Sequence, residues 1–528
     1  MTTSPFKVLI PTSGVGVPLG ELINYTNKTL IKIGKKPTLS YIIDSYPKNT
    51  EFVITLGHFS EHVKDFLKIA YPNHKITLVP VTKFSGPGSS IANSLLMAKK
   101  HLQCPFVYHA SDTIVTDKIP APKENWLAGY KGTISSNYAS FDVIDSYIQT
   151  VHMKGMTNSD YLHIGLAGIK DHKHFWSELE NLYNENPQNS ELGDIHALDS
   201  MLKNNARFKV YEITNWYDVG TVDGLNVARN KIADSFHILD KPSESIYLYD
   251  KYVIKFFSDA KNVSQRVKRA KTLSGLVPPL MNSGEYFYQY KYVDGDLMAD
   301  IARPENITNL LEWAKKKLWK PVEEVSNKEF TKICDDFYNI KTRKRLTDLF
   351  SSRGIIDKKE IINGVLVPKT SDILEKIDFK WLANAKQTGF HGDFILDNIL
   401  KTAGGFCLLD WRQNFGGLLK AGDLYYDLSK MNHNLTINHG IINDNLFSID
   451  VSKKEIRCEI LRKESLVESQ KAFNVFVIKN GYDIKKINIL TPLIWLNMSP
   501  LHQHPFDLFL YYFGKYNLWK ALQNEQQI

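Results

Sequence analysis

The sequence predicts two bodies in one chain, a doubly wound α/β sheet followed by an α+β unit in which strands precede helices. Three observations predict it. Strand-length and helix-length apolar patterns alternate from Phe6 to Tyr108. Beyond residues 233–243 the pattern changes to a few strands and then mostly helix. A chain of 528 residues also exceeds what one core organises, at roughly 150 residues per domain.

The strands come first. Residues 6–11, 52–56, 76–81 and 106–108 are short apolar runs with the length of buried strands. Between them Val63, Phe66, Leu67 and Ala70 fall at helical spacing, as do Ile91, Leu95, Ala98 and Leu102. Such alternation implies right-handed crossovers and a mainly parallel sheet, with ligands at the carboxyl ends of its strands. Residues 136–214 turn to strands with a few helices, and 225–235 read as a helical connector. The best boundary divides the chain into 1–235 and 236–528. Strands are then expected at 246–249, 252–257 and 286–293, with helices after Asn309 except around 390–411. There is no internal repeat and no low-complexity tract.

Composition narrows the function. Hydrophobic residues make up 43% and charged residues 23%, which is globular rather than disordered. A net charge of +8 suits phosphorylated ligands, but no basic stripe or run of five like charges points to nucleic acid. Cys104, Cys334, Cys407 and Cys458 are scattered without zinc-like spacing, so a reducing cytoplasm is expected. The opening residues lack the charged and apolar regions of a signal peptide. No apolar run approaches the ~20 residues of a membrane span, so no membrane insertion is expected. Self-association is compatible with all of this.

The first constellation follows the first strand. Gly14 and Gly16, in Thr12-Ser13-Gly14-Val15-Gly16, let backbone N–H groups come close to phosphates, although a tight turn would also use them. Lys28 and Lys36 follow, and Gly86-Pro87-Gly88-Ser89 opens the next helical pattern. Asp112 ends the strand pattern PFVYHASD, and Asp218 lies in NWYDVGT. Two carboxylates from separate strand ends can hold one Mg²⁺, which takes oxygen ligands and shares them with phosphates.

Residues 6–232 resemble the sugar-phosphate nucleotidyltransferases. The match runs through Gly14, Gly16, Lys28, Asp112 and Trp216-Tyr217-Asp218-Val219-Gly220-Thr221, in family order. The resemblance implies a GT-A-like fold, with Gly14 and Gly16 on the nucleotide, Lys28 catalytic, and Asp112 and Asp218 on Mg²⁺. Gly86 and Gly88 are expected on the nucleotide because their loop opens a helix where an anion or base could dock on free amides. Lys154, in VHMKG, falls where the family has a lysine for the acceptor's phosphate. The implied reaction is attack of a phosphate monoester on the α-phosphorus of an NTP, releasing pyrophosphate. One position departs: the family's G-x-G-x-R arginine is Pro18 here. Either another cation replaces it, or this domain is slow, altered or only a binder.

The second constellation is Gly389-Phe390-His391-Gly392-Asp393-Phe394-Ile395-Leu396-Asp397-Asn398. An Asp and an Asn five residues apart let one meet an acceptor hydroxyl while the other holds a metal. After Asn398 the spacing predicts a strand, a turn at Ala403-Gly404-Gly405, and a return strand ending in Asp410-Trp411. That hairpin would bring Asp410 back toward Asn398.

This stretch resembles the aminoglycoside/choline kinase-like phosphotransferases, over roughly residues 246–512. The resemblance implies a two-lobed, protein-kinase-like fold, with an N-lobe at about 243–295 and a C-lobe at 296–528. It further implies Asp393 as catalytic, Asn398 and Asp410 on Mg²⁺, and Lys255 on the ATP phosphates. Tyr290 and Tyr292 fall at the adenine-side hinge. Residues 263–273 hold no Glu to pair with Lys255. His391 is expected to shape the loop and Asp427 to be structural. The aromatic tail from Trp495 to Trp519 reads as helical core, or else as a cage for a quaternary ammonium.

A kinase makes a phosphate monoester and a nucleotidyltransferase consumes one. The two resemblances together imply a bifunctional enzyme. It would phosphorylate a small alcohol or sugar with ATP, then transfer a nucleotidyl group from a second NTP, with CTP favoured. Its product would be an activated building block for surface polysaccharide or lipopolysaccharide. The alternative is an active kinase whose N-terminal half is a degenerate regulatory module. A glycosyltransferase would show D-x-D, and Ser111-Asp112-Thr113 does not.

Overall fold

The computed structural model describes residues 6–132, 137–155, 159–232, 243–452 and 454–525. By packing, the chain divides into two compact units. One runs to Ala260 and includes Asn282–Gln289; the other comprises Lys261–Met281 and Tyr290 onward.

The first unit is built on a nine-stranded sheet. Its order is Lys75–Pro80, Glu51–Leu56, Lys7–Pro11, Phe106–His109, Tyr161–Ile169, Trp126–Tyr130, Lys209–Ile213, Tyr147–His152 and Ser140–Ile144. The four strands expected from the alternating pattern lie side by side and parallel, with Val8 opposite Phe52 and Val107. Successive residues of Lys7–Pro11 serve opposite faces. Val8 and Ile10 join Ile54 and Phe66 in one core, while Leu9 joins Val53, Leu95 and Tyr108 in the other. The helices Ser60–Ala70 and Ile91–Ala98 turn Val63, Phe66, Leu67 and Leu95 into these cores, as their spacing predicts.

The sheet is mixed rather than mainly parallel. Tyr161–Ile169 runs antiparallel to Phe106–His109, with Ala167 opposite Tyr108, and antiparallel to Trp126–Tyr130. Beyond His109 the chain turns back through short links such as the hairpin Ser140–Ile144/Tyr147–His152. The two-residue turn of that hairpin imposes antiparallel pairing on its own two strands.

The boundary expected at 235/236 lies outside the described residues. The hairpin that follows, Glu244–Leu248 with Tyr252–Phe257, packs with the first unit. Its Tyr247, Ile254 and Phe256 share a core with Phe66 and Phe287, which is the physical reason for the grouping.

In the second unit, Ile399–Thr402 and Gly405–Leu408 form the expected hairpin, extended by Asp296–Leu297. A second small sheet runs Val365–Val367, Glu360–Ile362, Ile456–Ile460, Phe447–Val451. Around them pack the helices Lys341–Arg353, Leu424–Thr436, Glu464–Lys479, Ile484–Met498 and Phe506–Glu525. Trp495, Phe509 and Phe513 are buried in this core, so the aromatic tail serves packing. No helix among the described residues is long and apolar enough to cross a membrane.

Candidate active sites

In the first unit the carboxyl ends of the parallel strands open on a cavity of about 210 Å³. Gly14, Lys28, Ser89, Ser90 and Asp112 line it. Lys28 Nζ donates to Asp112 Oδ2 at 2.8 Å. Gly16 adopts a left-handed φ of 82°, and a Cβ there would press on the Lys28 side chain at 3.0 Å. The glycine therefore seats the lysine as well as turning the chain.

Asp218 reaches the same place from another strand. Trp216–Asp218 pairs antiparallel with Thr113–Val115, setting Asp218 opposite Thr113, and Val219 N donates to Asp112 O at 2.9 Å. A methyl added to Gly220 would sit 3.2 Å from Asp218 Oδ1 and 3.4 Å from Asp112 Oδ2. The two carboxylates thus converge beside Gly220, where a side chain would crowd both. Burial pushes the Asp112 carboxyl up, and the Lys28 ammonium overcomes it, so the net shift is downward. Burial raises Asp218, partly offset by the Tyr138 hydroxyl and the Gly220 N–H, which both donate to it. Tyr138 carried no sequence signal.

Other expected residues fall elsewhere. Pro18 sits exposed in the first turn of the 3₁₀ helix Val17–Asn24. Gly86 and Gly88 take left-handed φ in the loop before Ile91–Ala98. That loop gives the cavity Ser89 and Ser90, and Ser90 caps Asn93 N at 3.1 Å. Lys154 is exposed in the turn after Tyr147–His152 and does not line the cavity. Lys255 is buried within its strand, 5.9 Å from the centre of the Phe257 ring.

The second unit gathers its own set. Asn398 Nδ2 donates to Asp393 Oδ2 at 3.1 Å, leaving the amide oxygen as the atom for a cation. Leu409 N donates to Asn398 O at 2.7 Å, which fixes the return of the hairpin toward Asp410. Asp410, at a left-handed φ of 50°, pairs with Arg266 at 2.6 Å. Arg266 lies in the segment that lacks the expected Glu. Tyr290 is buried, 6.3 Å from Trp411 centroid to centroid, while Tyr292 is exposed.

Burial alone would raise the Asp393 carboxyl; the Lys430 ammonium, 2.7 Å away, brings it down to about 2. Asp393 N donates to His391 Nδ1 at 3.3 Å, so the ring proton lies on Nε2, which donates to Leu409 O at 2.8 Å. Burial holds this imidazole down at about 4, and His391 braces the loop as a neutral ring.

One face of Leu424–Thr436 supports the whole loop. Asp427 accepts from His391 N at 2.8 Å, Gly392 N at 2.7 Å and Trp319 Nε1 at 3.0 Å. One turn on, Lys430 holds Asp393. Asn434 accepts from Leu396 N at 2.9 Å and donates to Asp397 Oδ2 at 2.9 Å. Asp427, Lys430 and Asn434 are three and four residues apart, the helical spacing that would have revealed the last two.

No family model and no curated protein matches the chain. Among solved structures, its N-terminal region is similar to a CTP:phosphocholine cytidylyltransferase from Streptococcus pneumoniae. That match has 17% identity and a TM-score of 0.38, covering 43% of this chain and 100% of that one. It is also similar to an inositol-1-phosphate CTP transferase from T. maritima (14% identity, TM-score 0.35, 45% of this chain and 100% of that one). A UDP-glucose pyrophosphorylase from Acinetobacter baumannii is another match (15% identity, TM-score 0.36, 43% and 92%).

Proposed function

We propose that the chain is a bifunctional enzyme that phosphorylates a small alcohol or sugar and then joins a nucleotidyl group to the new phosphate. The observation that carries the nucleotidyl half is the convergence of Asp112, Asp218 and Lys28 beside the Gly14 turn. In this reading a phosphate oxygen of the acceptor attacks the α-phosphorus of the NTP, here CTP, and pyrophosphate leaves. Lys28 balances triphosphate charge from a preset position, and backbone N–H groups around Gly14 hold phosphate oxygens. Lys154 is assigned to the acceptor phosphate by motif order alone.

The donor sets fit Mg²⁺. Asp112 and Asp218 offer only carboxylate oxygens, and Asn398 and Asp410 an amide oxygen and a carboxylate. Among the described residues no group of three or more His, Cys, Asp or Glu is arranged for a metal. The remaining ligands would be phosphate oxygens and water, as this cation prefers. When bound, Mg²⁺ neutralises phosphate charge and polarises the reacting phosphorus.

The phosphotransfer half rests on the loop held by Leu424–Thr436. Asp393, kept ionised by Lys430, orients the acceptor hydroxyl, whose oxygen attacks the γ-phosphorus of ATP. Lys255 is assigned to the ATP phosphates, and Tyr290 and Tyr292 to the adenine side. The product would serve surface polysaccharide or lipopolysaccharide assembly.

Incubating the full chain with ATP, Mg²⁺ and a panel of alcohols, then with each NTP, tests the reading by product mass. A phosphorylated alcohol followed by its nucleotide diphosphate adduct is expected. Absence of both overturns it. Phosphorylation without pyrophosphate release would support a kinase with a regulatory N-terminal unit, the reading that Pro18 favours.

A further inference from the structure

Beside Asp393 the second unit collects four basic side chains around two aromatic rings. A single π-helical turn, Asp336–Ile340, carries Phe337 and leads directly into Lys341–Arg353. Such turns recur at functional sites because they re-aim the side chains around them. Lys341 Nζ stands 3.9 Å from the centre of the Phe337 ring. The Arg412 guanidinium lies 5.1 Å from the same ring and 5.9 Å from Tyr426, and its Nη1 donates to the Tyr426 hydroxyl at 3.3 Å. Phe337 and Tyr426 meet edge to face at 5.1 Å. Arg345, one turn beyond Lys341, donates to Asn497 O at 2.8 Å. Lys430 completes the group.

Among the described residues, the one ion pair to any of these four basic side chains is that of Asp393 with Lys430. Lys341, Arg345 and Arg412 have aromatic rings, a hydroxyl and carbonyls as neighbours instead. Burial, with the Arg412, Arg345 and Lys430 charges, presses the Lys341 ammonium down to about 6. Near pH 7 such a lysine is largely the neutral amine, and an arriving anion would favour its protonated form while offsetting the crowded charges of Arg345, Arg412 and Lys430. Arginine in particular presents a donor fork that matches carboxylate and phosphate oxygens.

We propose that this cluster is the acceptor subsite of the phosphotransferase, and that its alcohol carries an anionic group, a carboxylate or a phosphate, near the reacting hydroxyl. The inference rests on the phosphotransfer reading above and narrows its substrate class. The anionic group docks on Lys341, Arg345 and Arg412, which turns the hydroxyl toward Asp393. The hydroxyl oxygen then bonds to the γ-phosphorus, the bond to the departing ADP oxygen breaks, and the hydroxyl proton passes by way of Asp393 to solvent. An ammonium alcohol such as choline would instead bring a further positive charge into the group.

The test compares glycerate, glycerol phosphate, glycerol and choline as acceptors for the full chain at fixed Mg²⁺ and ATP, read as ADP release. A kcat/KM at least tenfold higher for glycerate or glycerol phosphate than for glycerol and choline is expected, and the better of the two separates carboxylate from phosphate. Lys341→Met and Arg345→Gln should each reduce that preference at least tenfold, chiefly through KM, while Lys341→Arg keeps it. Preference for glycerol or choline overturns the anionic subsite and leaves phosphotransfer standing. ADP release that survives Asp393→Asn removes the phosphotransfer reading itself. Calorimetric titration with glycerate and glycerol phosphate, beside a non-hydrolysable ATP analogue, reads the cluster without turnover. A tenfold or greater loss of affinity in Lys341→Met supports the proposal. Equal affinity in variant and wild type, or no binding to the wild type, overturns it.

Discussion

At Asp393, burial and the Lys430 ammonium act on the carboxyl in opposite directions, and the ammonium prevails. The ionised form therefore persists in wild type down to about pH 2. Lys430→Met removes the main opposing charge, so burial and the Asp410 carboxylate outweigh His391 and the folded carboxyl rises. Since orienting the hydroxyl needs the ionised form, the acid limb of phosphorylation should move up by at least about one pH unit, the scale of one lost charge partner. A pH profile of ADP release checks it; an unchanged acid limb would remove Asp393 from the reaction. In the first unit, Lys28→Ala should cost at least ~2–3 kcal/mol of transition-state stabilisation in pyrophosphate release, the scale of one preorganised charged contact. An unchanged rate would leave that unit as a binding module. Lys28 was legible by motif order, but its contact with Asp112 was not, because side-chain pairing across 84 residues leaves no local trace.

The element that matters most to the proposed phosphotransfer is the helix Leu424–Thr436, whose one face carries three separate supports for residues 391–397. Asn434→Ala would leave the buried Leu396 N–H without its acceptor and take from Asp397 the donor on its Oδ2, leaving His439 beside Oδ1. A loss of ~1–3 kcal/mol is expected for such an orphaned group. Urea denaturation should show it, together with slower ADP release; unchanged stability would contradict the support role. Elements were legible where local chemistry decides them. The parallel strands announced themselves as apolar runs, and Ala403-Gly404-Gly405 marked the hairpin. The antiparallel insertion of Tyr161–Ile169 was not legible, because an apolar run does not state the direction of its partner.

At the scale of the whole chain, the two carboxylate sets lie in different units: Gly14, Lys28, Asp112 and Asp218 in one, Asp393, Asn398 and Asp410 in the other, while Lys255, proposed for the ATP phosphates, groups with the first. Motif order foresaw this separation of the two carboxylate sets. It did not foresee that the hairpin 244–257, with Lys255, packs with the first unit, because its Tyr247, Ile254 and Phe256 read simply as strand residues. The proposed function is two independent activities acting in series. The direct measurement is a mass-resolved incubation of the full chain with ATP, CTP, Mg²⁺ and an alcohol acceptor, using wild type, Asp393→Ala and Asp112→Ala. Wild type should yield the nucleotide diphosphate adduct. Asp393→Ala should stop at the free alcohol but convert a supplied phospho-alcohol, Asp112→Ala should stop at the phospho-alcohol, and the two variants mixed should restore the adduct. Loss of both steps in either well-folded variant, or failure of the mixture, would rule out two independent activities in series.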